Sequence, residues 1–236
     1  MNKYILILSL SIGLIACNNK DTQLNNAKEL YKQGLANSDV STTKIALNQL
    51  LLLDSNNAEY QDSLSRIYLN SGNFEAGIKY AEKVFNAGKS DKKLKENMAV
   101  AYQQIGQIEK AEKFIDNLIA ETNDPRYIYQ KLVHQFENRN NPIFDSISTI
   151  ILDKIQTDST FAEATILMPG PVTGVKQNVP IKAATLFLIG NNALENRQDV
   201  NSSIEYFQKS IMEFNEFEYP RYLLMEIEKM MMSQRR

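Results

Sequence analysis

From residue 26 onward, apolar residues recur every three to four positions in blocks of about a dozen, separated by short polar or glycine-containing breaks. This spacing predicts helices near 26–37, 41–53, 58–71, 74–87, 91–105, 108–121, 125–138 and 142–156. Asp54-Ser55-Asn56-Asn57, Ser90-Asp91, Asp124-Pro125 and Asn141-Pro142 supply starts, because a side-chain oxygen can accept from the free N–H groups of a first turn. Pro125 and Pro142 suit the first helical position, where a missing N–H costs nothing. Breaks of two to four residues leave consecutive helices antiparallel neighbours.

Two of these helix pairs are one motif written twice at a spacing of 34. Tyr68, Gly72, Phe74, Gly77 and Val84 recur as Tyr102, Gly106, Ile108, Ala111 and Leu118, with Leu47 and Leu50 upstream and Tyr129, Leu132 and Phe136 downstream. An aromatic, a turn glycine and then a small residue at this period mark a helical-pair solenoid. The turns Tyr68-Leu-Asn-Ser-Gly-Asn-Phe74 and Tyr102-Gln-Gln-Ile-Gly-Gln-Ile108 resemble the tetratricopeptide repeat family. The expected fold is all-α, a right-handed superhelix of about four to five antiparallel pairs closed by a C-terminal capping helix. Within each pair, Ser65 with Gly77 and Ala99 with Ala111 are expected to let the backbones approach, while Leu64, Tyr68, Met98 and Tyr102 fill the space beside them.

The array departs from its own pattern in three places. Gly34 stands where the first repeat would carry Tyr, and Asp145 stands where the repeat at 126–157 would carry a small residue. A further match falls at 184–214, with Leu194 and Ser203 for Tyr68 and Gly77, but Ser203 lies 126 residues beyond Gly77, 24 more than three periods. The extra residues are expected at 161–180: a short helix signalled by Thr160-Phe-Ala-Glu163, then a Pro/Gly loop through Met168-Pro-Gly-Pro-Val-Thr-Gly174. Insertions in solenoids map to one face, often the binding face, so Val172 and Val175 are candidate partner contacts. The array resumes at 181–236, where Tyr219 to Met232 predicts a last helix with Leu223, Ile227 and Met230 on one stripe. Met225, Met230, Met231 and Met232 also fit an adaptable docking surface, although a cap that shields the last pair is the simpler reading.

The N-terminus reads differently from the rest. A short positive start at Lys3 precedes an apolar run, Tyr4 to Ile15, which is too short to span a bilayer as a helix. The run ends in Leu14-Ile15-Ala16-Cys17, followed at once by Asn18-Asn19-Lys20-Asp21. This resembles a bacterial lipoprotein signal, which implies removal of 1–16, a covalent lipid on Cys17 and a polar tether over 17–25, with helical repeats over 26–160. Cys17 is the only cysteine, so acylation would leave the chain without a thiol. Asn18 after the cysteine, rather than Asp, implies the outer membrane.

Composition narrows the chemistry. A formal charge of −2 gives no basic field for nucleic acid. With one histidine, His134, and one cysteine, no zinc-type ligand set and no other metal or cofactor is expected; His134 is read as a partly exposed helix residue. Gly170-Pro-Val-Thr-Gly174-Val-Lys176 fails as a phosphate loop, since three residues separate the glycines and Gln177 follows the lysine. Glu82 beside Lys79 and Lys83, and Glu109 and Glu112 beside Lys113, read as solvated helix faces, so no acid–base pair and no enzyme is expected.

In tetratricopeptide proteins the first helix of each pair lines the groove. The register places Glu59, Asp62, Arg66 and Leu69 there from one repeat and Lys93, Glu96, Val100 and Gln103 from the next. Chaperone-binding members clamp a terminal carboxylate with Lys and Asn; Asp62 and Glu96 stand at those places, so that specificity is not implied. The expected role is a lipid-anchored envelope scaffold for a protein or peptide. The alternative is an accessory lipoprotein for glycan or nutrient handling at the outer membrane.

Overall fold

The computed structural model describes residues 20–171 and 174–233. Cys17, Val172 and the segment read as a signal therefore lie outside the described residues. Among those described, the chain is built of successive antiparallel helix pairs: α1 (20–36) and α2 (Val40–Leu53), α3 (Ala58–Asn70) and α4 (Phe74–Asn86), α5 (Lys92–Gln104) and α6 (Ile108–Thr122), α7 (Pro125–Glu137) and α8 (Asn141–Thr157). A short α9 (Ser159–Ala162), strands β1 (Thr165–Pro169) and β2 (Lys176–Pro180), α10 (Ile181–Asn191) with a π-helical turn at Asn192–Asn196, α11 (Val200–Glu213) and α12 (Glu218–Ser233) complete it. The fold class is the expected all-α, tetratricopeptide-like one. The chain divides into two compact units, Met1–Ala111 and Glu112–Arg236.

In the first unit the cap signals act as the sequence suggests. Asn57 accepts from the N–H groups of Glu59 and Tyr60 and Asp91 from that of Leu94; Asp39, not singled out from sequence, does the same for Ser41 and Thr42. Gly72 and Gly106 end α3 and α5 with φ of +76° and +74°, a conformation that only glycine adopts without strain. Leu47, Leu50, Leu64, Ala81, Leu94 and Met98 form the buried faces. A Cβ on Gly77 would lie 2.6 Å from the Leu69 side chain, so the missing side chain permits the α3–α4 approach. Gly34 is the same device moved to the partner helix: a Cβ there would meet Thr43 Oγ1 at 2.5 Å and Thr43 N at 2.7 Å. Thr43 occupies the Gly77 position one period earlier, so the first pair exchanges its glycine across the crossing instead of losing it.

Lys20, the first described residue, is already helical, so 20–25, read from sequence as part of a tether, is helix, exposed except for the half-buried Leu24. Its residues Lys20, Asp21, Thr22 and Gln23 bury nothing, which explains why apolar periodicity did not reveal it.

In the second unit the largest departure is at 161–180. Instead of a Pro/Gly loop, β1 and β2 form an antiparallel hairpin in which Ile166 faces Val179 and Met168 faces Gln177. Gly174, at φ +68°, and a hydrogen bond from Gly170 N to Val175 O tighten its end. One face carries Ile166, Met168 and the fully buried Val179 into a core with Phe161, Ile181, Phe187, Phe207 and Phe217; the other leaves Leu167 exposed, and Val175 is exposed in the turn ahead of β2. Pro169 and Pro180 end the two strands and withhold N–H groups that would otherwise invite another strand. Gln177 ties the hairpin to the turn before α12, donating to Glu216 O at 2.8 Å and accepting from Glu218 N.

α10 is apolar on all sides and buried along nearly its whole length. Its Gly190 lies against Phe207, whose ring carbons a Cβ would meet at 2.7 Å. In the repeat register these positions match Leu64 and Ala81, so the same crossing is filled once from the first helix and once from the second. α12 buries Pro220 and Ile227 and half-buries Leu223 and Leu224, as a cap should, while Met230, expected on the same stripe, stays exposed with Met225, Met231 and Met232.

Candidate partner-binding surface

The candidate groove residues of the first unit lie on α3 and α5, at equivalent places one period apart. Asp62 and Arg66 are one helical turn apart, so Arg66 Nε reaches Asp62 Oδ2 at 2.8 Å. The same guanidinium reaches Asp91 Oδ1 at 2.8 Å with Nη2 and so joins α3 to the start of α5. The hydrogen bond to Asp62 raises the Arg66 pKa further. At Asp91 burial works to raise the pKa, but the bonds from Arg66 and from Leu94 N–H prevail and hold the carboxyl below its usual range. Asp62 Oδ1 is buried and has no hydrogen-bond donor. On α5, Lys93 pairs with Glu96 at 3.1 Å, Val100 is 45% exposed, and Gln103 is half-buried.

Glu59 is exposed at the start of α3. Leu69 is not a surface residue: at 7% exposure it packs against Gly77, where the closeness of α4 leaves no room for it to turn outward. Val175 is exposed but belongs to the second unit.

Sequence reasoning missed several polar links. Asp91 was read as a cap alone, and nothing in its spacing shows that it also receives Arg66. Tyr31 and Tyr60 meet edge to face with centroids 6.4 Å apart, and Tyr31 donates to Ser63 at 3.3 Å, so α1 is tied to the same side of α3. Glu82, read as a solvated charge, accepts from the buried Tyr102 hydroxyl; burial and this carboxylate push the phenol pKa well up. In the second unit Glu112 likewise accepts from Gln135. Asp145 finds its reason in Arg197, 2.5 Å away. That pair lines a cavity of about 350 Å3 together with Ser148, Asn192, Asp199 and Tyr206. The π-helical turn holds the buried Asn192 so that it donates to Asn141 Oδ1 at 2.9 Å.

His134 is also corrected. It is 1% exposed rather than partly exposed, and neither ring nitrogen has a hydrogen-bond partner. Burial pushes its pKa down, with Glu137 and Glu112 pulling weakly the other way. The unfolded chain, with an ordinary value near ~6.5, therefore takes up the proton more readily than the folded one. Stability should be full above that pH and fall below it by at most ~1.4 kcal/mol per pH unit. His134→Leu should flatten this acid limb in urea midpoints measured between about pH 6.5 and 5; parallel decline of both proteins would show that the ring does not charge on unfolding.

Among the described residues no group of three His, Cys, Asp or Glu is placed to hold a metal ion, and no helix is long and apolar enough to cross a membrane.

With this geometry the chain has a helical-repeat fold, and comparison with known proteins agrees. Residues 58–87, which span α3 and α4, match the tetratricopeptide repeat family model. No curated protein sequence matches the chain. Among solved structures, YrrB, described as a TPR protein with an unusual peptide-binding site, is similar with a TM-score of 0.57 at 14% identity, covering 90% of this chain and 96% of that one. MamA is similar with a TM-score of 0.55 at 14% identity, covering 81% and 91%. A tetratricopeptide repeat protein from Parabacteroides merdae has a TM-score of 0.54 at 13% identity, covering 83% and 68%. At such identities the likeness is one of fold. Together they show a tetratricopeptide repeat at 58–87 and a tetratricopeptide-like fold for the chain.

Proposed function

We propose that this protein is a lipid-anchored scaffold of the cell envelope that holds a protein or peptide partner against the α3–α5 face. The observation that carries this is the braced polar stripe there. Arg66 fixes Asp62 and Asp91 in place, while Asp62 Oδ1 stays without a donor. A stripe of side chains held in place in this way, with Val100 exposed on α5 to offer apolar contact, suits an extended segment of a partner. The charges along the stripe are mixed, so the partner is a mixed-charge segment rather than a strongly acidic or basic one. A photo-crosslinking residue at Val100 in living cells should give a discrete adduct, and one at Lys79, exposed on α4, should not. Arg66→Ala should remove the Val100 adduct without unfolding the chain; equal adducts from both positions would overturn the assignment of the face.

The anchor is supported by the agreement of the apolar run at Tyr4–Ile15, Ala16 and Cys17, with Asn18 favouring the outer membrane. A lipoprotein anchor carries at least two acyl chains, enough for stable attachment where one chain is not. Cys17→Ser should therefore leave a folded protein that fractionates as soluble; tight membrane fractionation of the variant would overturn the lipid assignment.

A further inference from the structure

The end of the first helix pair that leads back toward Cys17 in the chain carries apolar surface that nothing among the described residues covers. α1 and α2 are antiparallel, so the last turn of α2 lies beside the first turns of α1. Leu52 is 85% exposed there, the highest value among the large apolar side chains of the first unit. Gln23 and Asn26 of α1 and Gln49, Leu52 and Leu53 of α2 border one cavity of about 320 Å3. Leu51 and Leu52 border another, of about 250 Å3, with Ser55, Tyr80 and Lys83 on its far side. Leu52 thus stands as a ridge between two hollows. A leucine held this far out of the core leaves apolar surface in water that a packed partner or a lipid phase would remove.

The chain itself says what lies nearby. Helix α1 is formed by Lys20, so only Asn18 and Asn19 separate it from Cys17. Even fully extended, three residue steps span about 10 Å. An anchor at Cys17 therefore holds this end of the first pair within about 10 Å of the lipid headgroups, comparable to the depth of about 5–10 Å over which interfacial apolar groups insert. The exposed charges here, Lys20, Asp21 and Asp54 with Lys79 and Lys83 at the rim of the second hollow, are mixed and leave at most one net positive charge, a minor attraction for anionic lipid beside the apolar ridge.

We propose that Leu52, with Leu53 beside it, inserts into the headgroup–acyl boundary of the membrane that carries the anchor. The first helix pair then stands on the bilayer by its α1-start, α2-end pole, and lipid fixes the orientation of the unit as well as its location. This rests on acylation of Cys17. The contact is apolar, so neither salt nor the anionic lipid fraction should alter it appreciably.

The test uses the full chain, produced with its N-terminal segment in a bacterial host and reconstituted into phosphatidylethanolamine–phosphatidylglycerol vesicles. Acylation consumes the sole native cysteine, so Leu52→Cys introduces a single thiol for an environment-sensitive fluorophore. Leu35→Cys, 55% exposed at the opposite end of α1, is the reference. Neither site contributes to the core, so both variants should keep the native helical signal. Vesicles with brominated acyl chains should quench the label at 52 at least about twofold more than at 35, and an aqueous quencher should show the reverse order. Intact mass measured beforehand separates the two ideas: a chain without acyl mass overturns the anchor and this proposal with it. Acyl mass with equal quenching at 52 and 35 overturns the membrane contact alone. A label at 52 shielded from the aqueous quencher but untouched by brominated lipid also overturns it, since protein would then cover the ridge.

Discussion

Replacing residues 165–179 with a short Gly/Ser linker is expected to destabilise the second unit by roughly 3–6 kcal/mol, taking full burial of a large aliphatic side chain as about 1.5–3 kcal/mol. The loss comprises the fully buried Val179 and the half-buried Ile166 and Met168, together with cover over Phe161 and Ile181. It also removes the bond that Gln177 donates to Glu216 O and the one it accepts from Glu218 N, which hold the turn before α12. A loss of this size is a large fraction of the stability of an ordinary domain. Hydrogen exchange gives the clearest reading: amides of α10 should lose protection, while those of 58–87 in the other unit should keep theirs. Unchanged protection in α10 would show that the hairpin is a detachable surface feature. The exposed Leu167 and Val175 would then be its main contribution.

Gly34→Ala is the second change with a large expected effect, and here two tendencies oppose each other. Alanine is favoured over glycine inside a helix by about 1 kcal/mol. The new methyl, however, would sit 2.7 Å from Thr43 N and 3.0 Å from Thr43 Cα, which are backbone atoms that cannot rotate aside. Forcing α1 and α2 apart falls under overpacking, at about 1–3 kcal/mol, and a backbone clash belongs at the upper end. The clash prevails, and a net loss of about 1–2 kcal/mol should appear as a lower urea midpoint. Gly34→Ala paired with Thr43→Gly moves the missing side chain to the Gly77 position of the register, and should recover part of the loss. If Gly34→Ala alone raised the midpoint, the crossing would be looser than the geometry shows.

The repeat itself was legible from sequence because its signals are local. Tyr68 and Tyr102, the glycines after them and the small residues nine positions on record turn geometry and helix contact within one period. Helix caps were legible for the same reason: Asn57, Asp91 and Asp124 act on N–H groups two or three residues away. The Asp62–Arg66 pair is local in the same way, since the two side chains lie one turn apart on α3 whatever surrounds them.

What escaped the sequence depends on partners far along the chain. Leu69 falls at a groove position by register yet is drawn into the α3–α4 contact by the glycine opposite. His134 has a polar label but lies on a buried face of α7. The hairpin alternates too briefly, five residues to a strand with prolines at both ends, to stand out from a loop; it becomes a sheet because Val179, Ile166 and Met168 find an apolar surface beneath them. The exchange of the small residue between helices, Gly34 for Gly77 and Gly190 for Ala81, shows the division most clearly. Sequence by itself determined that helices pair and at what period, because hydrophobic spacing and turn chemistry act within a few residues. Only tertiary structure decided which helix of a pair gives up its side chain, because close packing constrains the summed volume at a crossing and leaves the share of each helix free.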